Sequence, residues 1–229
     1  MNVTPRAGKA RDIIGLLALG QTPRPDLTAS VQGMLPDADL RVRGALDGMP
    51  EAEIRRLAGQ GAEYPLMVLL ADRSSLEVDM QTLFPLLKQR AEALRDEGAR
   101  RVVLMCSGGF PEFGARLPVL RPVSLLLAFA GIAVPGKRVG IINPIASQQE
   151  PAAAYWKARG FDICSAHASP FAPEAVCGAA KELVSRGAEA LVLDCMSFSE
   201  EVGAVVREAA DVPVLVPMRM IRAFFQAVL

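Results

Sequence analysis

Two cysteines stand at the ends of apolar runs. In RRVVLMCSGGF, Arg100–Phe110, a β-branched segment leads into Cys106 and then Ser107, Gly108 and Gly109. In ALVLDCMSFS, Ala190–Ser199, the same layout ends at Cys195, followed by Met196 and Ser197. A thiol suits proton transfer, because its pKa of about 8.5 is readily moved by neighbouring donors and cations. Two thiols on opposite walls of one cleft suit a 1,1-proton transfer at a carbon next to a carboxylate. One removes a proton from one face, and the other delivers a proton to the opposite face. Gly108 and Gly109 would let backbone N–H groups approach a carboxylate closely, while Ser107 and Ser197 could donate to its oxygens. A buried cysteine at a strand end is ordinarily a small hydrophobe. What favours chemistry for Cys106 and Cys195 is that they occupy matching places in an internal repeat.

Each cysteine run follows a segment of helical spacing. Leu83, Leu87, Ala91 and Leu94 mark one between residues 79 and 98, and Val176, Ala180 and Val184 mark the other between 173 and 187. Both close on a Gly-Ala pair, Gly98-Ala99 and Gly187-Ala188, glycine being favoured just past a helix end. Beyond the cysteines, Pro118-Val119-Leu120-Arg121-Pro122 with Ala128-Phe129 matches Pro213-Val214-Leu215-Val216-Pro217 with Ala223-Phe224. Upstream, IIGLLALGQTPRPD aligns with RVGIINPIASQQE, so the chain reads as two related halves meeting around Val134–Gly136. Eight apolar runs, IIGLLAL, DLRVRG, PLMVLLA, RVVLMC, RVGIIN, FDICSA, ALVLDC and VPVLVP, alternate with helical segments. Runs apolar throughout suit strands covered on both faces by helices, the pattern of parallel sheets. The expected fold is α/β, with two pseudo-symmetric lobes, each a four-stranded parallel sheet flanked by helices, and a ligand cleft between the lobes.

Loops at the carboxyl ends of the strands should complete the cleft. In GQTPRPD, Gly20–Asp26, the planar fork of Arg24 is a carboxylate clamp that Gln21 and Thr22 could assist. Arg73 and Ser74 follow the third strand, and Asn143 holds the matching place in the second half. Met196 adds an apolar wall. Cys177 reads as helix core. Cys164 and His167 have metal-like spacing but no second pair, so no metal site is expected. His167 is the only histidine, which argues against a Ser-His-Asp triad. Neither a Gly-x-Gly-x-x-Gly fingerprint nor a P-loop is present, and no cofactor is expected.

Bulk properties narrow the partners. Among 229 residues, 25 basic and 25 acidic side chains cancel, which gives no electrostatic case for nucleic acid or an anionic membrane. A small-molecule carboxylate or cyclic amide is the expected partner. The longest apolar stretch, Leu125–Val134, is about half a bilayer span. It could equally line a dimer face, and a homodimer is the expected assembly. Four cysteines with no secretory leader pattern give the expectation of a reducing, cytoplasmic location.

The opening strand with GQTPRPD, the paired strand-end cysteines, LVLDCMSF and the closing PVLVPMRMIRAF together resemble the AroM family over nearly the whole chain. More remotely, the layout is similar to the aspartate/glutamate racemase superfamily, which includes hydantoin racemases, maleate isomerases and arylmalonate decarboxylases. That resemblance implies a cofactor-independent racemase or isomerase in which Cys106 and Cys195 alternate as base and acid. It also implies that the chain crosses between lobes, with its closing strand and helix returning to the first. Residues 1–118 with 213–229 would then form one lobe and 119–212 the other. Amino-acid racemases follow their cysteines with Asn-Thr and Thr-Glu pairs. Here Ser107-Gly108 and Met196-Ser197 stand instead, which argues against recognition of an α-amino group. Two alternatives stay open: a decarboxylase in which one thiol protonates a carbanion, and a non-catalytic protein that closes on a metabolite.

Overall fold

The computed structural model describes residues 12–58, 60–114, 118–134, 136 and 138–228. Its first half runs β1 (Ile13–Ala18), α1 (Pro25–Met34), β2 (Asp39–Gly44), α2 (Glu51–Ala58), β3 (Pro65–Leu69), β4 (Ser75–Asp79), α3 (Met80–Asp96), β5 (Arg101–Leu104), β6 (Val119–Leu120) and α4 (Pro122–Ala133). The second half runs β7 (Arg138–Asn143), α5 (Gln149–Lys157), β8 (Asp162–His167), α6 (Pro173–Ser185), β9 (Ala190–Leu193), α7 (Glu200–Ala210), β10 (Val214–Leu215) and α8 (Pro217–Val228).

Two four-stranded parallel sheets flanked by helices result, ordered β2-β1-β5-β6 and β10-β9-β7-β8. Past their first residues, their central strands are buried on both faces and almost wholly apolar, as the uninterrupted runs require. Close packing of a helix on each sheet depends on one glycine. A β-carbon on Gly15 would lie 2.9 Å from side-chain atoms of Leu94 and Val102, and one on Gly140 would lie 2.7 Å from Leu191 and 3.1 Å from Leu183. Helix ends follow local chemistry. Prolines open α1, α4 and α6, where a missing N–H costs nothing. Asp79 caps α3, and Ser199 caps α7 by accepting from the Val202 N–H at 3.2 Å. Past α3 and α6, Gly98 and Gly187 adopt φ of 92° and 87°, and their N–H groups close the last turn on Arg95 and Val184 at 2.8 Å.

Three features depart from expectation. The run PLMVLLA does not join a parallel sheet: β3 pairs antiparallel with β4 in a separate two-stranded hairpin. Its run is apolar on both sides because Val68 packs into the core while Met67 and Leu69 face a cavity. Helices do not cover both faces. The fourth place in the first sheet belongs instead to β6, in Pro-Val-Leu. Third, the closing strand does not return to the first half. β10 pairs with β9 in the second sheet.

The helices after these two short strands cross over. Leu126 and Ala130 of α4 pack on Val139, Ile141 and Val192 of the second sheet. Met218, Ile221 and Phe225 of α8 pack on Ile14, Leu16 and Val103 of the first. Each sheet's core is thereby finished by a helix that follows a strand of the other. α4 also leaves Phe129 and Ile132 exposed, the latter at 83%. No helix among the described residues is long and apolar enough to cross a membrane.

Candidate active site

Parallel pairing sends β5 and β9 out at the carboxyl ends of their sheets, and each releases the chain two residues before a cysteine. Strand pairing continues one residue further on both sides, through Met105 N–H to the Leu17 carbonyl at 2.8 Å and Asp194 N–H to the Ile142 carbonyl at 2.9 Å. The chain then turns back over each sulfur. Gly108 N–H donates to Cys106 Sγ at 3.3 Å, and Ser197 N–H donates to Cys195 Sγ at 3.5 Å. Each thiol is therefore held by the amide two residues on.

Both cysteines line one cavity of about 1260 Å³. Its volume exceeds the roughly 300–1,000 Å³ usual for small-ligand sites. Leu66, Met67 and Leu69 of the hairpin, with Met105, Met196 and Met218, give it a broad apolar, methionine-rich wall. Burial pushes the Cys106 thiol well above the ordinary range, and negative charge on Cys195 or Asp194 would push it further, against the Gly108 N–H. Cys195 is raised too, again chiefly by burial. The amide and hydroxyl of Ser197 and the guanidinium of Arg24 oppose that rise. Burial thus favours the neutral form of both thiols.

Sequence reasoning singled out the residues around these thiols and passed over Asp194. It lines the same cavity and is 6% exposed. Burial raises its carboxyl from 3.8 to about 6, against the Ser107 and Asn143 side chains, which favour the charged form. Asn143 Nδ2 donates to Asp194 Oδ2 at 3.1 Å, while Asn143 Oδ1 and Asp194 Oδ1 are buried without a hydrogen-bond partner among the described residues. The signal was present in the repeat. Where the first half has Met105 before its cysteine, the second has a carboxylate. Tyr64 was also missed; it lines the cavity, and burial raises its phenol, with charge on Asp194 and Cys106 adding to the rise.

The remaining residues divide. Ser107, Gly108, Met196, Ser197, Arg24 and Arg73 line the cavity with the two thiols. Arg24 is not a free clamp: its Nε and Nη2 donate to both oxygens of Asp26, at 2.8 and 2.6 Å, which holds that carboxyl below its usual range. Gln21, Thr22, Ser74, Gly109 and Asn143 do not line the cavity. Gln21 accepts from Ala71 N–H, Thr22 donates through N–H and hydroxyl to Asp47, and Ser74 donates to Asp72. Gly109 is small for packing instead of for a ligand, since a β-carbon there would sit 2.3 Å from the Tyr155 ring. Asn143 acts one step removed, on Asp194. Among the described residues no three His, Cys, Asp or Glu side chains gather as a metal site would need.

A family model described as AroM protein matches residues 14–229, which takes in both cysteine strands and the closing helix. The chain belongs to the AroM family. No curated protein sequence matches it. Among solved structures, the fold of this chain is similar to that of an arylmalonate decarboxylase, at TM-score 0.62 and 17% identity over 94% of this chain and 90% of that one. It is also similar to a glutamate racemase isoform from Bacillus anthracis, at TM-score 0.61 and 12% identity over 95% and 81%. A maleate isomerase from Pseudomonas putida S16 follows at TM-score 0.60 and 11% identity over 95% and 92%. At these identities the likeness is one of fold.

Proposed function

We propose that this AroM protein moves protons at a carbon next to a carboxylate or cyclic amide without a cofactor, as a racemase or isomerase. The observation that carries this reading is the pair of thiols at equivalent strand ends, Cys106 and Cys195, lining one cavity. Arylmalonate, glutamate and maleate, named with the similar structures, are all small carboxylates, which supports the substrate class. Ser107, Ser197 and the Gly108 backbone supply donors to the ligand, with Arg24 and Arg73 as cations at the wall. Arg24 shares its fork between Asp26 and the ligand.

Both thiols start neutral, so one must lose its proton before it can act as base. Asp194, the strongest acid of the three, is the group that ionises first, and its carboxylate accepts the thiol proton only as donors to the sulfur, such as the Ser197 N–H at Cys195, offset the cost of forming the thiolate. Buried negative charges repel, and the cavity favours one ionised group at a time. The resulting thiolate removes the substrate's α-proton, and the electron pair delocalises into the adjoining carbonyl. The second thiol then donates its proton to the opposite face and becomes the thiolate for the reverse reaction. Arg24 favours Cys195 as the first base, and Cys106, more strongly held neutral, as the acid.

That asymmetry also supports a second reading, decarboxylation. The C–C bond to a carboxyl breaks, carbon dioxide leaves, the electron pair stays on carbon, and the Cys106 S–H protonates it. Proton NMR in deuterium oxide with chiral hydroxy acids, amino acids, hydantoins and substituted malonates separates the two. Loss of an α-proton signal that Cys106→Ala and Cys195→Ala each reduce by at least about a hundredfold supports two-base transfer. Release of carbon dioxide from a malonate that needs Cys106 alone supports decarboxylation. Washout that survives both substitutions overturns thiol chemistry, and saturable binding of these acids with neither reaction points to a non-catalytic binding protein.

A further inference from the structure

One face of α8 takes no part in the thiol cavity's core. Met218, Ile221 and Phe225 are buried against the first sheet, whereas Arg219, Arg222, Ala223 and Gln226 recur at three- and four-residue steps along another face. Opposite them stands Arg207, from the last turn of α7. Together with Glu200 these residues line a separate cavity of about 540 Å³. Three guanidinium groups face one carboxylate there. Glu200 pairs with Arg222 at 2.9 Å, and Arg207 and Arg219 have no ion-pair partner among the described residues.

Arg207 is the telling residue. Its Nη1 is buried and makes no hydrogen bond among the described residues, and the same holds for Glu200 Oε1 in the same cavity, which is unfavourable for charged groups. The packing keeps it in place. Gly203, one turn earlier, leaves the room: a β-carbon there would come 3.3 Å from Nη1 and 2.5 Å from Val216 Cγ2. An unpartnered guanidinium N–H beside a cavity lined by two further arginines, an amide and the single carboxylate of Glu200 leaves a net cationic site that suits an oxyanion.

We propose that Arg207, Arg219 and Arg222, with Gln226, bind a phosphate- or carboxylate-type oxyanion at a site distinct from the thiols. Glu200 orients Arg222 and stands with it at the junction, since both residues line the large cavity as well. Two sources share this chemistry: a free inorganic anion, and a distal anionic group on the molecule held in the thiol cavity.

Inorganic phosphate tests the site on the full chain, by calorimetric titration and thermal unfolding at ionic strength matched with chloride. Saturable binding is expected, weakened about tenfold or more in Arg219→Ala and in Arg207→Gln. Arg219 is exposed, so its replacement leaves the fold intact by circular dichroism. Absence of saturable binding in the unaltered protein, or binding that survives both substitutions, overturns the proposal. Cys106→Ala and Cys195→Ala leave phosphate binding unchanged, so failure of the thiol chemistry is read separately. A series of ω-phosphonocarboxylates of increasing length assigns the source. Affinity that peaks at one length marks a distal group of the thiol-site ligand, and affinity independent of length marks a free anion.

Discussion

Asp194 concentrates the consequences of burial in one side chain. Its native value of about 6 lies above the ordinary 3.8, so the folded protein holds this proton more tightly than the unfolded chain. Stability contributed by the neutral acid is complete below about pH 4 and is lost as pH rises through about 6. At about 1.4 kcal/mol per pKa unit the loss approaches roughly 3 kcal/mol. Urea unfolding across this window should show the decline in the unaltered protein and its removal in Asp194→Asn, relative to one another. If Asp194 also accepts a thiol proton, turnover falls below about pH 6 and that acid limb disappears in Asp194→Asn. An unchanged limb assigns the titration to another group. Cys106 and Cys195 could be picked out from sequence because a thiol is reactive wherever it reaches a cleft. For Asp194 the repeat marked only the position, a carboxylate where the first half has Met105; its value near neutrality comes from burial, which the sequence does not record.

At the level of elements, the β3–β4 hairpin and the loop after β1 form one wall. Gln21 N–H donates to the Leu69 carbonyl at 3.3 Å, and a β-carbon on Gly20 would fall 1.8 Å from that same carbonyl oxygen. Backbone cannot yield as a flexible side chain can. Gly20→Ala should therefore push the hairpin off the loop and cost about 2–4 kcal/mol, read from the urea midpoint, with weaker ligand binding in step. A cost under about 0.5 kcal/mol would mean that the two segments separate freely. The hairpin was hard to foresee. PLMVLLA has the two-sided apolar pattern of a central parallel strand, but one side faces the cavity. The alternation in Ser75–Asp79, with Leu76 and Val78 inward, was the available sign of β4.

Across the whole molecule, the exchange of α4 and α8 ties the two sheets together. Ile221 is fully buried against the first sheet although its helix follows a strand of the second. Ile221→Ala should cost about 2–5 kcal/mol. The loss should appear equally in far-ultraviolet circular dichroism and in the fluorescence of Trp156, which is buried in the core beside the second sheet. Coincident transitions are expected, because neither sheet keeps its covering helix when the other unfolds. A Trp156 transition left in place by Ile221→Ala would show that the halves unfold independently.

Local chemistry in the sequence by itself determined where strands stop, where helices are capped and where the two thiols fall. Those features depend on glycine, proline, capping residues and apolar runs read over a few neighbours. The parallel α/β class, the strand-end cysteines, and Gly98 and Gly187 past their helices were all legible on that basis. Only the tertiary structure decided that β3 leaves the sheet, that α4 and α8 trade sides, that Arg24 is held by Asp26, and that Asp194 lies buried beside the thiols. Each of those depends on which residues distant in sequence come to share low-dielectric space, and on the ions and hydrogen bonds available there. A one-dimensional pattern records which side chains want burial, but not which neighbours they are buried with.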